Sequence, residues 1–364
     1  MIKKIFQNLY KKAIYSIFKI FHGKITKIIK LKEGEEIKKI LKDNEIEYSI
    51  YFCDKSRLYT DTIHDTAFIK QNSLIEGPSF QFRENKLAKI ENNIVLEKGT
   101  PRFKKKLKGK VFSLLTGGGG NSNYYHWLFD VLPRLEILKE KINLDDVDYF
   151  LFPRTNLKFQ KESLDLLKIP ISKRLSSQTF RHIYADQIIG VDHPCFILND
   201  PLVDPENTPE WIINYYKKDV KSKINLKKKF KKIFIDREDS KSNIRDLRKI
   251  INNNEVKDFL ISNGFESVNL SSFSFIDQIN IFHSAEIIVG LHGAGFSNLL
   301  FCNPGTLVVE IKPSHFGNMY QKLGEKLGVD YINLTSEALG KGYEYPNQLG
   351  SILVDLNELK KIIN

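Results

Sequence analysis

A histidine and an aspartate at helical spacing follow a run of glycines in the first half of the chain. Residues 117–120 are all glycine, and His126 and Asp130 come shortly after them. An α-helix turns about 100° per residue, so these two side chains lie on one face, together with Asn123 and Arg134. A carboxylate beside an imidazole is suited to general-base chemistry, in which a proton is removed from a reacting hydroxyl. The sequence leaves open which of the two groups takes that proton.

Asn123, His126, Asp130 and Arg134 form a polar stripe, and the helix that carries it, called the stripe helix, is otherwise apolar. Aromatic and aliphatic residues occupy most of positions 124–135. A helix that is apolar nearly all round is expected to be buried. Its polar stripe then faces either an internal network, in which the histidine–aspartate pair only positions the helix, or a water-filled cleft. In the second case, Asn123, Tyr124 and Arg134 are predicted to line the side of the cleft that receives the molecule with the reacting hydroxyl, called the acceptor.

A second glycine-rich segment begins where a predicted strand, residues 286–290, ends. Its sequence is Gly290-Leu291-His292-Gly293-Ala294-Gly295, and it leads into a predicted helix. Glycines allow the backbone to approach a ligand closely, and backbone N–H groups at the start of a helix attract phosphate. The alternative is a structural histidine in a tight turn. We predict a diphosphate site here, formed by His292, Gly293, Ala294, Gly295, Ser297 and Asn298.

Charged residues follow two other predicted strands. Glu310 ends the strand after the glycine segment, where nucleotide-binding folds hold ribose hydroxyls; the alternative is that it caps the next helix. Arg237 follows the strand at 233–235, and the fork of donors on a guanidinium matches a phosphate. The alternative is a surface ion pair with Glu238 or Asp239. A second cation is predicted to come from Lys241 or Arg245.

Predicted strands and helices alternate along most of the chain, which favours parallel sheets covered by helices. Early strands are predicted at residues 49–52, 93–96 and 110–115, and a segment rich in Pro, Asp and Asn at 194–209 predicts a linker. The predicted fold class is α/β and GT-B-like, with two Rossmann-like domains that face each other across a cleft and a basic N-terminal helical extension. The predicted domains are a basic amphipathic segment (1–32), an acceptor-side α/β domain (33–200), a linker with a connecting helix (201–228) and a nucleotide-binding Rossmann-like domain (229–364).

The composition is that of an ordinary globular protein with an excess of positive charge. The formal net charge is +12. Two lysine-rich runs, at residues 104–110 and 227–232, lack interleaved aromatic residues, so nucleic acid is not a predicted partner. The three cysteines are far apart in sequence, which indicates a reducing compartment and no disulfide framework.

The first 32 residues mix lysines with isoleucine, phenylalanine, leucine and tyrosine. No apolar run reaches the roughly 20 residues that a transmembrane helix needs. A basic amphipathic helix on an anionic membrane surface is predicted, with a terminal helix packed on the protein's own body as the alternative. The lysines recur throughout, unlike those of a signal peptide, so we expect a cytoplasmic protein, peripheral on the inner face of the membrane.

The segments 123–134 and 292–310 resemble the two signature regions of glycosyltransferase family 61. The turn at 237–239 and the pattern at 324–331 are also similar to that family. The resemblance implies a GT-B fold, inversion at the anomeric carbon, and a nucleotide-sugar donor, taken to be a UDP-sugar, held mainly by the C-terminal half. The family includes bacterial capsular-polysaccharide enzymes. The implied acceptor is therefore a glycan or lipid-linked glycan in the synthesis of capsule, lipopolysaccharide or a similar surface polysaccharide.

No metal and no other cofactor is expected. The family resemblance implies that a metal is not essential. Asp146 and Asp148 precede a predicted strand, whereas the metal-binding Asp-x-Asp motif of the other major transferase fold follows one. Asp236 and Glu238 do follow a strand, but the neighbouring cations would repel a metal ion.

The predicted mechanism has Asp130 as the first choice for the base, while His126 orients it or takes the proton itself. Arg237, His292 and the start of the following helix stabilise the negative charge on the leaving diphosphate. The alternative from another class is a non-catalytic sugar- or nucleotide-binding protein on the same scaffold. A nicotinamide-dependent oxidoreductase is disfavoured because the dinucleotide fingerprint is missing.

Overall fold

A computed structural model of the chain describes residues 2–60, 65–83, 86–117, 122–195, 204–237, 248–338 and 350–363. The chain divides into two compact units, Met1–Asp204 and Pro205–Asn364. Each unit combines a β-sheet with helices, so the chain is an α/β protein.

The first unit is built on one large mixed sheet. Its helices are α1 (Ile2–His22), α2 (Ile94–Lys98), α3 (Tyr124–His126), α4 (Pro133–Lys139) and α5 (Lys158–Leu166). Its strands are β1 (Lys27–Ile29), β2 (Ile37–Lys42), β3 (Ile46–Tyr59), β4 (Asp65–Lys70), β5 (Ser73–Ile75), β6 (Phe80–Arg83), β7 (Lys86–Leu87), β8 (Lys105–Lys106), β9 (Lys110–Ser113), β10 (Tyr149–Phe152), β11 (Arg174–Ser176) and β12 (His182–Val191).

The sheet of the first unit is parallel at one end and antiparallel over much of the rest. The strand order is β1-β5-β4-β3-β12-β9-β10-β11. Strands β12, β9, β10 and β11 pair in parallel, as the alternation of strands and helices predicts. The long strand β3 instead pairs antiparallel with β2, β4 and β12. The prediction of a largely parallel sheet therefore holds for the later strands of this unit and fails for the earlier ones.

One predicted strand of the first unit is a helix. Residues 93–96 were expected to be extended, but Ile94–Lys98 is the short helix α2. The side chain of Asn93 accepts a hydrogen bond from the N–H of Val95, which caps the helix, and Gly99 ends it with φ 68°. This local capping outweighs the β propensity of the Ile-Val pair, which had suggested a strand.

The second unit is a five-stranded parallel sheet with the order β14-β13-β15-β16-β17. Buried aliphatic residues on the strands, such as Val289 and Val309, form its core with the helices. Its strands are β13 (Lys232–Ile235), β14 (Glu266–Val268), β15 (Ile287–Leu291), β16 (Leu307–Pro313) and β17 (Asp330–Ser336). Its helices are α6 (Glu210–Tyr215), α7 (Asn253–Ser262), α8 (Phe275–Ser284), α9 (Met319–Leu327) and α10 (Leu356–Ile363), and Ala294–Phe301 is a 3₁₀ helix.

Candidate active site

The polar stripe of the first unit lies on a helix that is interrupted by one wide turn. Asn123 caps α3, because its side-chain oxygen accepts the N–H of Tyr125 at 2.9 Å. A π-helical turn follows at Trp127–Val131, and then α4 begins at Pro133. A proline has no N–H to donate to the carbonyl four residues earlier, so the carbonyl of Phe129 needs another partner. It accepts a hydrogen bond from the Cys195 Sγ at 3.4 Å.

His126 and Asp130 form a close pair across this turn. The Nδ1 of His126 lies 2.6 Å from the Oδ2 of Asp130. The side chain of His126 is 37% exposed, whereas that of Asp130 is 8% exposed. The imidazole therefore reaches solvent, and the carboxylate lies behind it.

The surroundings keep Asp130 ionised and favour a proton on His126. Burial alone would raise the pKa of Asp130, but the imidazoles of His193 and His126 outweigh it, and the pKa of this carboxyl is lowered. Burial alone would lower the pKa of His126, but the Asp130 carboxylate outweighs it, and the pKa is raised. This arrangement, in which a buried carboxylate fixes an accessible imidazole, is how many enzymes orient a general base.

The three residues predicted to face an acceptor lie in different places. Asn123 is exposed but serves as the helix cap, and Tyr124 is half-buried with its ring edge-on to that of Phe159. Arg134 is buried, contrary to its predicted place in a cleft. Its guanidinium donates to the carbonyls of Asp130 and Val191 at 2.9 and 3.0 Å. Arg134 therefore ties the stripe helix to the end of β12.

The structure adds His193, which the sequence analysis missed. The Nε2 of His193 lies 3.7 Å from the Oδ2 of Asp130, and its side chain is 9% exposed. His193 follows β12 by two residues, next to the segment that was interpreted as a linker. Its position just after the end of a strand was the one available signal.

In the second unit, Arg237 and His292 meet at the point where the strand order reverses. Strand β13 has β14 on one side and β15 on the other. The connection from β13 therefore leads to β14 in one direction, and the connection from β15 leads to β16 in the opposite direction. In open α/β sheets the crevice at the carboxyl ends of such strands is the usual ligand site. Arg237 follows β13 and His292 follows β15, and the Nη1 of Arg237 donates to the His292 carbonyl at 2.5 Å.

A second arginine joins the first on the same carbonyl oxygen. The Nε of Arg248 donates to the His292 carbonyl at 2.8 Å, and its guanidinium lies over the ring of Phe316. Burial, together with the positive charge of Arg237, lowers the pKa of Arg248 to about 10. Two guanidinium groups side by side favour an anion as their further partner. The predicted second cations, Lys241 and Arg245, lie outside the described residues.

Glu310 contacts His292 rather than a site for ribose. The Nδ1 of His292 lies 2.6 Å from the Oε1 of Glu310, and the Glu310 side chain is fully buried. The Nζ of Lys312 lies 3.5 Å from the other carboxylate oxygen. Glu310 therefore orients the imidazole, and the predicted contact with ribose hydroxyls is wrong for this conformation. Burial lowers the pKa of His292 despite the opposing effect of Glu310, so the imidazole is neutral near pH 7.

The comparison with protein families identifies the family of this chain. Residues 124–309, just over half of the chain, match the family model described as Glycosyltransferase 61. The chain belongs to glycosyltransferase family 61. The matched segment contains His126, Asp130, Arg237 and His292, and it ends one residue before Glu310.

Relatives in animals match part of this chain. The EGF domain-specific O-linked N-acetylglucosamine transferase of Pan troglodytes is 33% identical over 90 residues, which cover 23% of this chain and 17% of that protein. The protein of the same name from Gallus gallus is 32% identical over 92 residues, covering 24% and 17%. The one from Xenopus laevis is 33% identical over 58 residues, covering 16% and 11%. The chain thus matches less than a fifth of the length of these relatives.

Two residues of the predicted diphosphate loop are in the core of the family 61 segment. The Oγ of Ser297 lies 3.5 Å from the hydroxyl of Tyr320, and the amide of Asn298 donates to Gln278 at 3.1 Å. Both side chains are fully buried, so only the backbone N–H groups of these two residues are left for the predicted contact with the donor, which stays a prediction. Apolar neighbours draw the 3₁₀ helix inward, and the parts of the loop that remain partly exposed include His292, Ala294 and Gly295.

Gly293 allows Arg237 to reach the loop. A Cβ at Gly293 would lie 2.6 Å from the Nη1 of Arg237, closer than side chains tolerate. The backbone of Gly293 is extended, with φ 170°, so an alanine would not strain it. We expect Gly293→Ala to move the guanidinium and weaken nucleoside-diphosphate binding about tenfold, with little change in thermal stability.

Calorimetric titration with nucleoside diphosphates would test this prediction. Gly305→Asn is the matched control, because a Cβ at Gly305 meets no atom within 4 Å, and asparagine tolerates its φ of +77°. Unchanged affinity in Gly293→Ala would mean that the placement of Arg237 does not matter for binding.

Proposed function

We propose that this chain is an inverting, metal-independent glycosyltransferase that moves a sugar from a nucleotide-sugar donor to a glycan acceptor. Family membership supports glycosyl transfer as the class of reaction. The observation that carries the mechanism is the His126–Asp130 pair, in which a buried carboxylate holds an accessible imidazole at 2.6 Å.

His126 takes the proton in this proposal, and Asp130 orients it. Since the Nδ1 of His126 donates to Asp130, its Nε2 is the nitrogen that accepts the proton of the acceptor hydroxyl. The hydroxyl oxygen then forms a bond to the anomeric carbon as the bond from that carbon to the diphosphate oxygen breaks. Attack from the face opposite the diphosphate inverts the configuration. Asp130, the first choice of base from the sequence, is too deeply buried for this role.

Arg237 and Arg248 would receive the negative charge that grows on the leaving diphosphate. Both guanidinium groups lie at the crevice between β13 and β15 and are already held by the His292 carbonyl. Preorganised cations in a partly buried site stabilise such charge without a metal ion. Among the described residues, no group of three or more His, Cys, Asp or Glu is arranged to hold a metal.

The finer parts of the proposal are the donor, the acceptor and the roles of the two units. We propose a UDP-sugar donor, and N-acetylglucosamine is the first sugar to test, because the named relatives are N-acetylglucosamine transferases. The acceptor is a glycan or lipid-linked glycan of a bacterial-type surface polysaccharide. We assign GT-B-like roles from the site residues of each unit. The first unit, with His126 and Asp130, activates the acceptor, and the second, with Arg237 and Arg248, holds the donor.

A binding screen followed by a turnover assay distinguishes this enzyme from a non-catalytic binding protein. Thermal-shift measurements with nucleoside diphosphates would identify the nucleotide, and release of nucleoside diphosphate from the matching sugar donors would report turnover. We expect stabilisation by one nucleotide and release from at least one donor. Binding without release from any donor, with a panel of glycan acceptors present, would favour the binding protein.

We also propose that α1 lies on an anionic membrane. Its exposed apolar side chains fall within one arc of about 120° at 100° per residue, and the helix carries lysines but no acidic residue. An exposed apolar face flanked by lysines is complementary to anionic lipid. Among the helices in the described part of the chain, none has the length and apolar character of a membrane span. The side chains of this face are Phe6, Leu9, Tyr10, Ile17, Ile20 and Phe21.

Flotation with vesicles would test the membrane proposal. The double variant Ile17→Glu, Ile20→Glu should bind vesicles of phosphatidylglycerol and phosphatidylcholine at least about tenfold more weakly than the unaltered chain. Gln7→Glu, Asn8→Glu is the control, because it makes the same change in charge at exposed positions outside the apolar arc. Equal binding by both double variants would refute insertion of this face.

A further inference from the structure

The residues after β12 form a short segment that is anchored on several sides. The hydroxyl of Tyr48 donates to the Pro194 carbonyl at 2.7 Å. The carboxylate of Asp192 accepts the N–H of Ser49 at 2.7 Å and the hydroxyl of Tyr51 at 2.8 Å. With the contacts from Arg134 and Cys195 described above, these bonds fix the segment against both β3 and the π-helical turn. His193 lies in the middle of it.

The hydrogen bonds of His193 determine which of its nitrogens carries the proton. Its Nδ1 accepts the backbone N–H of Cys195 at 3.3 Å. A ring nitrogen that accepts a hydrogen bond has no proton, so in the neutral ring the proton is on Nε2. That nitrogen lies 3.7 Å from the Asp130 Oδ2, the same oxygen that contacts His126. The N–H dipole of His193 therefore faces the carboxylate.

We propose that His193 is a positioning residue, a neutral imidazole whose Nε2–H stabilises the Asp130 carboxylate so that Asp130 holds His126 in the reactive tautomer. The role in the reaction rests on the proposed function. The groups that face Asp130 are His126 on its own turn, His193 after β12, and Arg134, which donates to the Asp130 carbonyl.

The expected charge state of His193 agrees with this role. Burial is the largest cause that lowers the pKa of His193, to about 3. The Asp130 carboxylate opposes this shift, and the charges of Arg134 and His126 add to it. His193 therefore stays neutral at physiological pH, and the dipole of its Nε2–H acts on the Asp130 carboxylate at 3.7 Å without adding a charge. A charged ring there would compete with His126 for Asp130.

Loss of the His193 N–H should change the pKa of His126. Without it, the Asp130 carboxylate loses one partner and attracts the proton of His126 more strongly. We expect the pKa of His126 to rise by about 0.5 to 1 in His193→Phe. His193→Gln, whose amide can place an N–H near the same point, should keep the pKa close to that of the unaltered protein.

Histidine-selective NMR titration of the full chain measures this directly, and the His126→Gln spectrum assigns the His126 signal among the eight histidines. His182→Gln is the control, since His182 is also buried but donates to the Arg102 carbonyl, and it should leave the pKa of His126 unchanged. An unchanged pKa in a folded His193→Phe, or an equal rise in His193→Gln, would overturn the proposal.

The titration separates this inference from the proposed function because it needs no substrate. If the pKa of His126 rises as expected while no donor is turned over, the coupling of His193 to the pair stands and the transferase assignment fails. Where turnover is measurable, the acid limb of the kcat/KM profile should move to higher pH in His193→Phe and stay in place in His193→Gln. A purely structural role would lower the rate at every pH alike.

Discussion

Asp130→Asn is expected to lower kcat by about 10²–10⁴-fold while the protein stays folded. The carboxylate of Asp130 accepts the Nδ1–H of His126 at 2.6 Å and leaves Nε2 free of a proton. An asparagine has nearly the same shape, but its amide N–H can donate to Nδ1. The proton of the imidazole then lies on Nε2, which can no longer accept one from the acceptor hydroxyl. Initial rates of nucleoside-diphosphate release, with thermal unfolding measured in parallel, would test this expectation.

The pH dependence of activity provides a second test with the Asp130→Asn variant. Asp130 raises the pKa of His126, and a base must be unprotonated, so activity should fall as the pH drops through that raised pKa. Asp130→Asn removes the carboxylate that raises the pKa of His126, so the acid limb of the residual activity should move to lower pH. Asp145→Asn, on an exposed 3₁₀ turn, is the control and should behave as the unaltered chain. Near-normal rates in Asp130→Asn would exclude the carboxylate from the mechanism.

Arg237→Gln and Arg248→Gln are each expected to lower kcat/KM by about 10²–10³-fold. Each substitution removes a guanidinium from the crevice at the ends of β13 and β15, where charge on the leaving diphosphate would otherwise be stabilised. Glutamine can still donate to the His292 carbonyl, so the loop should keep its fold. Nucleoside-diphosphate affinity, measured by calorimetry, should fall in the same variants.

Lysine variants distinguish charge from geometry at these two positions. Arg248→Lys keeps the positive charge but loses the planar fork of donors and the contact with Phe316. We expect it to recover part of the rate lost in the glutamine variant. Lys231→Gln, which removes an exposed ion pair with Glu286 in the second unit, is the control. Full activity in both glutamine variants would mean that the diphosphate binds elsewhere.

The sequence predicted the placement of site residues where that placement depends on spacing along one element. The four-residue spacing of His126 and Asp130 brings them together even though the turn is π-helical, because side chains one turn apart still share a face. The strand–loop pattern also placed Arg237 and His292 at strand ends, and parallel strands bring such ends to one edge. These predictions need only local periodicity.

What the sequence could not predict depends on contacts between distant segments. Arg134 has helical spacing to Asp130, but its guanidinium lies in the interior, where it donates to the carbonyl of Val191 at the end of β12. Glu310 is at the predicted strand position, yet its carboxylate turns to His292 because both are buried side by side. His193 reaches Asp130 only because several hydrogen bonds fold its segment against the turn.

The most direct test of the account is a product analysis by mass spectrometry. The purified chain would be incubated with a panel of nucleotide sugars and glycan acceptors, beside Asp130→Asn and Arg237→Gln. We predict that one donor gives a glycan heavier by one sugar residue, with equimolar nucleoside diphosphate and inverted anomeric configuration, and that both variants nearly abolish it. A product with retained configuration, or equal product from Asp130→Asn, would contradict the proposed mechanism.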